Sequence, residues 1–235
     1  YSYEDIEDLV NKFDSINVSI SVILLDKDWH KREVYNKKLT NTGFTFNKDL
    51  FPDPVTMIKY LHDKGIKVGL SVDPSEGIYP FEEYYQTACQ YLGGTAGTIL
   101  KFDPLNPRFL DVYFKVLIHP LESMGIDFFW NDYSNLKDLT TLWVLNHYHY
   151  LDSGRVQARR NMLLSRNALV AAHRYPVLYS GKTTVSWDNF KLIPFFNLSA
   201  SNIGVCWWSH DIGGFSGGIE ESELYIRSVQ LGIFS

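Results

Sequence analysis

Cysteine is scarce: Cys89 and Cys206 are too few for a disulfide framework or a thiolate metal site, and their apolar and aromatic neighbours mark both as buried thiols. Basic blocks are missing too. The 22 Lys and Arg residues are scattered among 27 acidic ones, which excludes the electrostatic footprint of a nucleic-acid partner. No apolar run approaches the roughly 20 residues that a membrane-crossing helix needs, so no span is expected. No G-x-G-x-x-G follows the first apolar run, and GGTAG at 93–97 falls inside a loop instead of opening a helix, which argues against a dinucleotide-binding sheet. Neither an internal repeat nor a low-complexity tract is present. The chain has no initiator Met and stops at LGIFS without a polar tail, so a piece of a longer protein, with other domains in the same chain, is expected.

What is present is a hydrophobic content of 45%, enough for a sizeable core, in 235 residues that fit one large domain. Strand-length apolar runs alternate with amphipathic helical segments throughout, the pattern of parallel strands joined by crossover helices. The strands are read at 18–26, 66–74, 126–131, 161–166, in YPVLYSG and in SNIGVCWWSHD; helices are read at 4–15, 54–64, in NPRFLDVYFKVLIHPLESMG and around 139–163. Residues 75–102, rich in Gly, Tyr and Thr, read as an irregular loop insertion. Together 1–235 form one α/β domain of the (β/α)8 TIM-barrel class, truncated at both ends, because six strands are two short of closure.

Polar residues recur where these strands end: Asp26, Asp73, Asp132, Arg166, His210 and Asp211. In a barrel that face carries the active site, since each strand delivers a side chain to a shared central pocket. The stretch GIDFFWNDYSN is the clearest case, an apolar strand running straight into Asp132. Trp130 and Tyr133 beside it offer aromatic walls on which the C–H faces of a sugar stack while carboxylates and Arg take its hydroxyls. Trp208 and Tyr179, also at strand ends, are read as pocket residues. His147 and His149 are splayed by two-residue spacing on a helix, and Asp26, Asp28 and His30 lack a further ligand at telling spacing, so neither group reads as a metal site. No metal or cofactor is required.

GIDFFWNDYSN resembles the nucleophile segment of glycoside hydrolase family 31, an apolar strand followed by W-x-D-x-N-E. The resemblance continues in order through ILLDKDW, GFTFN and FPDP, KVGLSVDP, LSR at 164–166, RYPVLYSG, VSW, SHDIGGFSGG and ELYIRSVQLGIFS, nearly the whole chain. It implies a retaining, exo-acting α-glycosidase with a carbohydrate substrate. Residue by residue, it makes Asp132 the nucleophile and Asp26 the acid that grips hydroxyls at the non-reducing end. Arg166 becomes the arginine contacting sugar and carboxylates, Trp130 a pocket wall, Tyr179 an aromatic platform, and Asp211 and Phe215 the pocket residues of the D-I-G-G-F element. Arg166 beside Asp132 would favour the ionised carboxyl that a nucleophile needs.

Two departures stand out. The family's general acid sits in a Gly-Asp pair after the aromatic platform, and the matching pair here is Gly181-Lys182. A lysine ammonium is no substitute for a carboxylic acid unless desolvation strips its proton. Three explanations stay open: Asp188 in VSWDNF serves as acid/base, although it also reads as a helix N-cap; His210 or another pocket acid donates the proton; or Lys182 marks altered chemistry or a binding-only relative. Asn135 stands where the family has Glu, which widens the expected substrates to α-galactosides, α-N-acetylgalactosaminides or α-xylosides.

Overall fold

Ser2 opens the first helix by a reciprocal cap: its hydroxyl accepts the Asp5 N–H at 3.3 Å while the Asp5 carboxylate takes the Ser2 N–H at 2.6 Å. Helix α1, Tyr3–Ser15, then buries Ile6 and Val10. The structure, a computed structural model, describes residues 1–132, 139–156, 160–166, 172–175 and 177–235. After α1 come strand β1, Val22–Leu25, a 3-10 turn at Lys27–Trp29, and a hairpin of β2, Val34–Tyr35, and β3, Lys38–Leu39. Its two turn residues, Asn36 and Lys37, both adopt positive φ, the geometry that matches the twist of a tight hairpin. Asp53 caps α2, Pro54–Asp63, by accepting the Thr56 N–H at 3.1 Å, and β4 follows at Lys67–Val72.

The next segment is more ordered than its composition suggests. Within 75–102 lies α3, Tyr85–Leu92, which buries Tyr85, Ala88 and Cys89, and an antiparallel bridge between Ile78 and Leu100 closes the excursion. Helix α4, Pro107–Val112, widens into a π turn at Tyr113–Ile118 before α5, His119–Ser123. Pro120 accounts for the widening, since it lacks an N–H and its ring clashes with the carbonyl four residues back. Strand β5 is Phe128–Asn131, α6 is Leu139–Ser153, β6 is Leu164–Ser165 and β7 is Val177–Tyr179. A short β8, Thr184–Val185, precedes α7, Trp187–Asn202; β9, Trp208–Ser209, β10, Ser216–Gly218, and α8, Ser222–Gly232, complete the chain.

Six strands form one parallel sheet in the order β1-β4-β5-β6-β7-β9, each expected strand taking its expected place. That sequential, all-parallel order with intervening helices is a TIM barrel short of closure, with β1 and β9 at its edges. The observed strands are shorter than the apolar runs that signalled them, because only part of each run finds ladder partners. A main core runs through both faces of β4 and into α2, with Met57, Leu61, Val68 and Leu70 fully buried. Gly69 is required there: a Cβ would stand 2.5 Å from Phe128 Cζ on the neighbouring strand. The expectation of two buried thiols holds for Cys89 and fails for Cys206, which is exposed on the approach to β9, the edge strand of the sheet among the described residues.

Candidate active site

The parallel register decides which side chains share a face. Trp130 pairs with Leu164 and Leu164 with Val177, while Tyr179 pairs with Ser209, so stepping by two along each strand puts Trp130, Asp132, Arg166, Tyr179 and Asp211 toward one side of the sheet. Their contacts agree with that geometry. Arg166 Nη1 donates to Asp132 Oδ1 at 2.7 Å, both side chains being largely covered at 25% and 16% exposure. The Tyr179 hydroxyl donates to Asp211 Oδ2 at 2.5 Å. The Tyr179 and Trp130 rings meet edge to face, 5.6 Å between centroids at 80°, forming an aromatic corner between the two polar pairs. Burial, and then the Asp211 carboxylate, push the Tyr179 phenol well above its ordinary value, so it remains a donor. The buried Trp130 Nε1–H has no partner among the described residues, an unspent donor in the same corner.

Backbone bonds lock the strand ends behind this cluster. The Asp132 N–H donates to Val72 O at 3.1 Å and the Arg166 N–H to Asn131 O at 3.2 Å, while Trp29, from the ILLDKDW segment, is buried with its Nε1–H on Ser71 O at 2.7 Å. On the loops above β4, Glu76 takes the Asn41 N–H at 2.8 Å, and the buried Glu82 takes the Phe44 N–H at 3.1 Å and the Thr45 hydroxyl at 2.6 Å. Neither glutamate stands at a strand end; their signal in the sequence is a carboxylate in an aromatic loop that otherwise reads as an insertion.

Other expected site residues fall elsewhere. Asp26 is an exposed carboxylate at the end of β1, two strands from β5, capping the Lys27–Trp29 turn through the Lys27 N–H at 2.8 Å. Asp188 lies in the first turn of α7, 94% exposed and 3.4 Å from Lys191 Nζ. It is not the helix cap: that role belongs to Ser186, whose hydroxyl accepts the Asn189 N–H at 3.2 Å. Lys182 sits with its ammonium 4.3 Å from the centroid of the Phe215 ring, so the D-I-G-G-F loop and the Gly181 loop meet through a cation–π contact. Phe215 also edges a cleft of about 630 Å³ whose lining includes Tyr225 and Glu221 but not Asp132. His210 and Trp208 line a small crevice with Leu192 and Phe196 of α7, and Trp208 packs on Leu178, Ala200 and Val205. His210 Nε2 lies 3.4 Å from Ser235 Oγ, and burial lowers its pKa while Asp211 opposes the shift. Register explains Trp208, which pairs with Leu178 on the helix side of the sheet rather than with Tyr179. Tyr133 and Asn135 lie outside the described residues.

Three ligand-type side chains, His119, Glu122 and Asp152, converge between α5 and α6. Arg155 donates to Asp152 at 3.0 Å and also pairs with Glu122, supplying the positive charge a cation would bring, so the group is an ion-pair network. His149, on α6, is fully buried among Tyr113, Phe114 and Phe129, and burial lowers its pKa to about 3. It is therefore a neutral packing group.

The chain has relatives in sequence and in fold. The chain is 25% identical over 252 residues to an α-xylosidase of Saccharolobus solfataricus, an alignment covering 95% of this chain and 33% of the relative. Human neutral alpha-glucosidase C is 23% identical, with 100% of this chain and 29% of the relative covered. The chain thus spans about a third of the length of these relatives. In fold it is similar to a family 31 α-xylosidase from a soil metagenome complexed with xylose, with a TM-score of 0.77 at 21% identity over 99% of this chain and 38% of that one. A family 31 dextranase of Flavobacterium johnsoniae complexed with glucose gives 0.78 at 19% identity, covering 100% of this chain and 34% of that one. The family model describing the glycosyl hydrolases family 31 TIM-barrel domain matches residues 1–235, and with the parallel barrel sheet and the strand-end cluster in place, the chain belongs to glycoside hydrolase family 31.

Proposed function

We propose that the protein containing this chain is a retaining, exo-acting α-glycosidase that removes a terminal α-linked sugar from an oligosaccharide or glycoconjugate, with Asp132 as nucleophile. The observation that carries the reading is the Arg166–Asp132 pair at 2.7 Å, set at adjacent strand ends beside the Trp130–Tyr179 corner. An Asp132 oxygen attacks the anomeric carbon as its bond to the leaving oxygen breaks; the leaving oxygen takes a proton, and a covalent glycosyl-enzyme results. Water then attacks the same carbon, gives up a proton to the acid/base and frees Asp132, so configuration is retained. Trp130 and Tyr179 wall the sugar, and Arg166, Asp211 and Asp26 take its hydroxyls.

For the acid/base we propose Asp188. Asp211 is engaged by the Tyr179 hydroxyl, whereas Asp188 presents an exposed carboxylate six residues after Lys182 with no bond stronger than a 3.4 Å contact to Lys191 among the described residues. The curated relatives named as α-xylosidases and an α-glucosidase support a neutral, α-linked terminal sugar.

The test is trapping on the full-length protein with 5-fluoro glycosyl fluorides of xylose, glucose and galactose, followed by peptide mapping. An adduct on Asp132 is the expected result and names the sugar; binding without an adduct across the panel would leave a silent carbohydrate-binding relative. If Asp188 is the acid, Asp188→Ala should slow substrates with poor leaving groups far more than activated aryl glycosides, and equal slowing of both excludes it.

A further inference from the structure

Behind the Asp132–Arg166 pair, on the helix side of the sheet, lies a buried polar cluster that the catalytic reading does not use. Asn146 of α6 is 2% exposed, and Asn131 and Ser165 are fully buried. The single oxygen Asn146 Oδ1 accepts two bonds, from Asn131 Nδ2–H at 3.2 Å and from the Ser165 hydroxyl at 3.1 Å. Asn131 is the residue before Asp132 and Ser165 the residue before Arg166.

Three buried amide and hydroxyl groups cost desolvation, which apolar residues of similar volume would avoid. What they add is register. Strand β6 is only Leu164–Ser165, so two residue pairs join it to β5, and a ladder that short fixes the alignment weakly. A slip of one residue would turn Arg166 toward the helices and away from Asp132, because side chains alternate between faces. An acceptor shared by both strand ends is satisfied in one alignment only.

We infer that Asn146 is a positioning residue: through Asn131 and Ser165 it holds the ends of β5 and β6 in the register that sets Arg166 against Asp132. The inference rests on the proposed role of Asp132 as nucleophile. Its test is the rate of glycosyl-enzyme formation in the full-length protein, with thermal unfolding measured in parallel. Asn146→Leu keeps the volume and removes the acceptor; it should fold and form the Asp132 adduct roughly 10- to 100-fold more slowly, as expected when reacting groups are displaced by a fraction of an ångström to an ångström. The loss should fall on kcat with KM little changed. Asn146→Asp, which retains an acceptor oxygen, should recover a good part of the rate. Ser165→Ala, a milder change that keeps the fold should Asn146→Leu lose it, should slow the step by several-fold. A folded Asn146→Leu, or failing that a folded Ser165→Ala, that forms the adduct at the wild-type rate overturns the inference. Absence of an Asp132 adduct in the unaltered protein would instead overturn the functional reading beneath it, so the two failures are distinguishable.

Discussion

Around β1, β4 and β5 a continuous apolar core runs from Ile6 to Leu145, whereas around β7 and β9 the buried cluster is Leu178, Ala200 and Val205 with Trp208 against it. The helices show the same contrast. Met57, Ile58 and Leu61 of α2 are closed against β4, while Phe195 and Leu198 of α7 are 65% and 67% exposed. Both helices carry enough apolar side chains to bury a face, but only α2 finds a long strand opposite: β4 offers six residues, and β7 and β9 offer three and two. Hydrophobic stabilisation scales with area removed from water, so apolar composition stabilises only where a surface receives it. The site straddles the difference, with Asp132 mounted on the dense side and Arg166, Tyr179 and Asp211 on the thin one.

The sharpest way to break this comparison is to separate chemistry from packing. Asp132→Asn should lower kcat/KM of the full-length protein by about 10⁴-fold while leaving the melting temperature nearly unchanged, the pattern of a group that acts on the reacting atoms. A melting temperature that fell with the activity would make Asp132 part of the scaffold. Next in size is Leu70→Ala, which empties a fully buried position on β4 and should cost about 3 kcal/mol in denaturant unfolding. A cost near zero would mean that the dense core tolerates voids as readily as the thin one.

A third measurement concerns pH, through Glu82. Burial raises this carboxyl from 4.5 to about 7, so between those values the folded state holds a proton that the unfolded state has released. Stability should therefore fall as pH rises from about 4.5 to 7, by about 3 kcal/mol, and Glu82→Gln should remove that decline. His149 acts in the opposite sense. Its pKa is lowered from 6.5 to about 3, so its contribution is complete above pH 6.5 and is lost as pH falls toward 3. Replacing His149 with Phe should flatten the acid limb and leave the neutral limb intact; the reverse outcome would contradict these assignments. The smallest effect belongs to the thin side, where Phe195→Ser should change stability by no more than about 0.5 kcal/mol. A loss of several times that in this chain would show that α7 is packed after all.

Much of this was legible beforehand because the informative signals are local. The alternation of apolar runs and amphipathic segments put all six sheet strands in their correct order. Strand-end position put Asp132, Arg166, Tyr179 and Asp211 among the candidates, together with Asp26 and His210, which the structure places outside their cluster. What escaped depends on distant partners. Composition marked 75–102 as irregular, yet Tyr85 and Cys89 find a core there; Trp208 and His210 looked like pocket residues, yet a register of one residue sends Trp208 to the helix side. Nothing local distinguished Asn146 from the polar residues around it.

The sequence by itself determined the alternation of strands and helices and the acids and arginine at the strand tips, because hydrophobic period, capping and turn chemistry are properties of neighbouring residues. Only the tertiary structure decided which tips meet. Parallel register between β5 and β6 joins Asp132 to Arg166, register between β7 and β9 joins Tyr179 to Asp211, and the first turn of α7 leaves Asp188 in solvent. Those pairings are long-range, made by backbone ladders between strands, and no short window of sequence contains both partners.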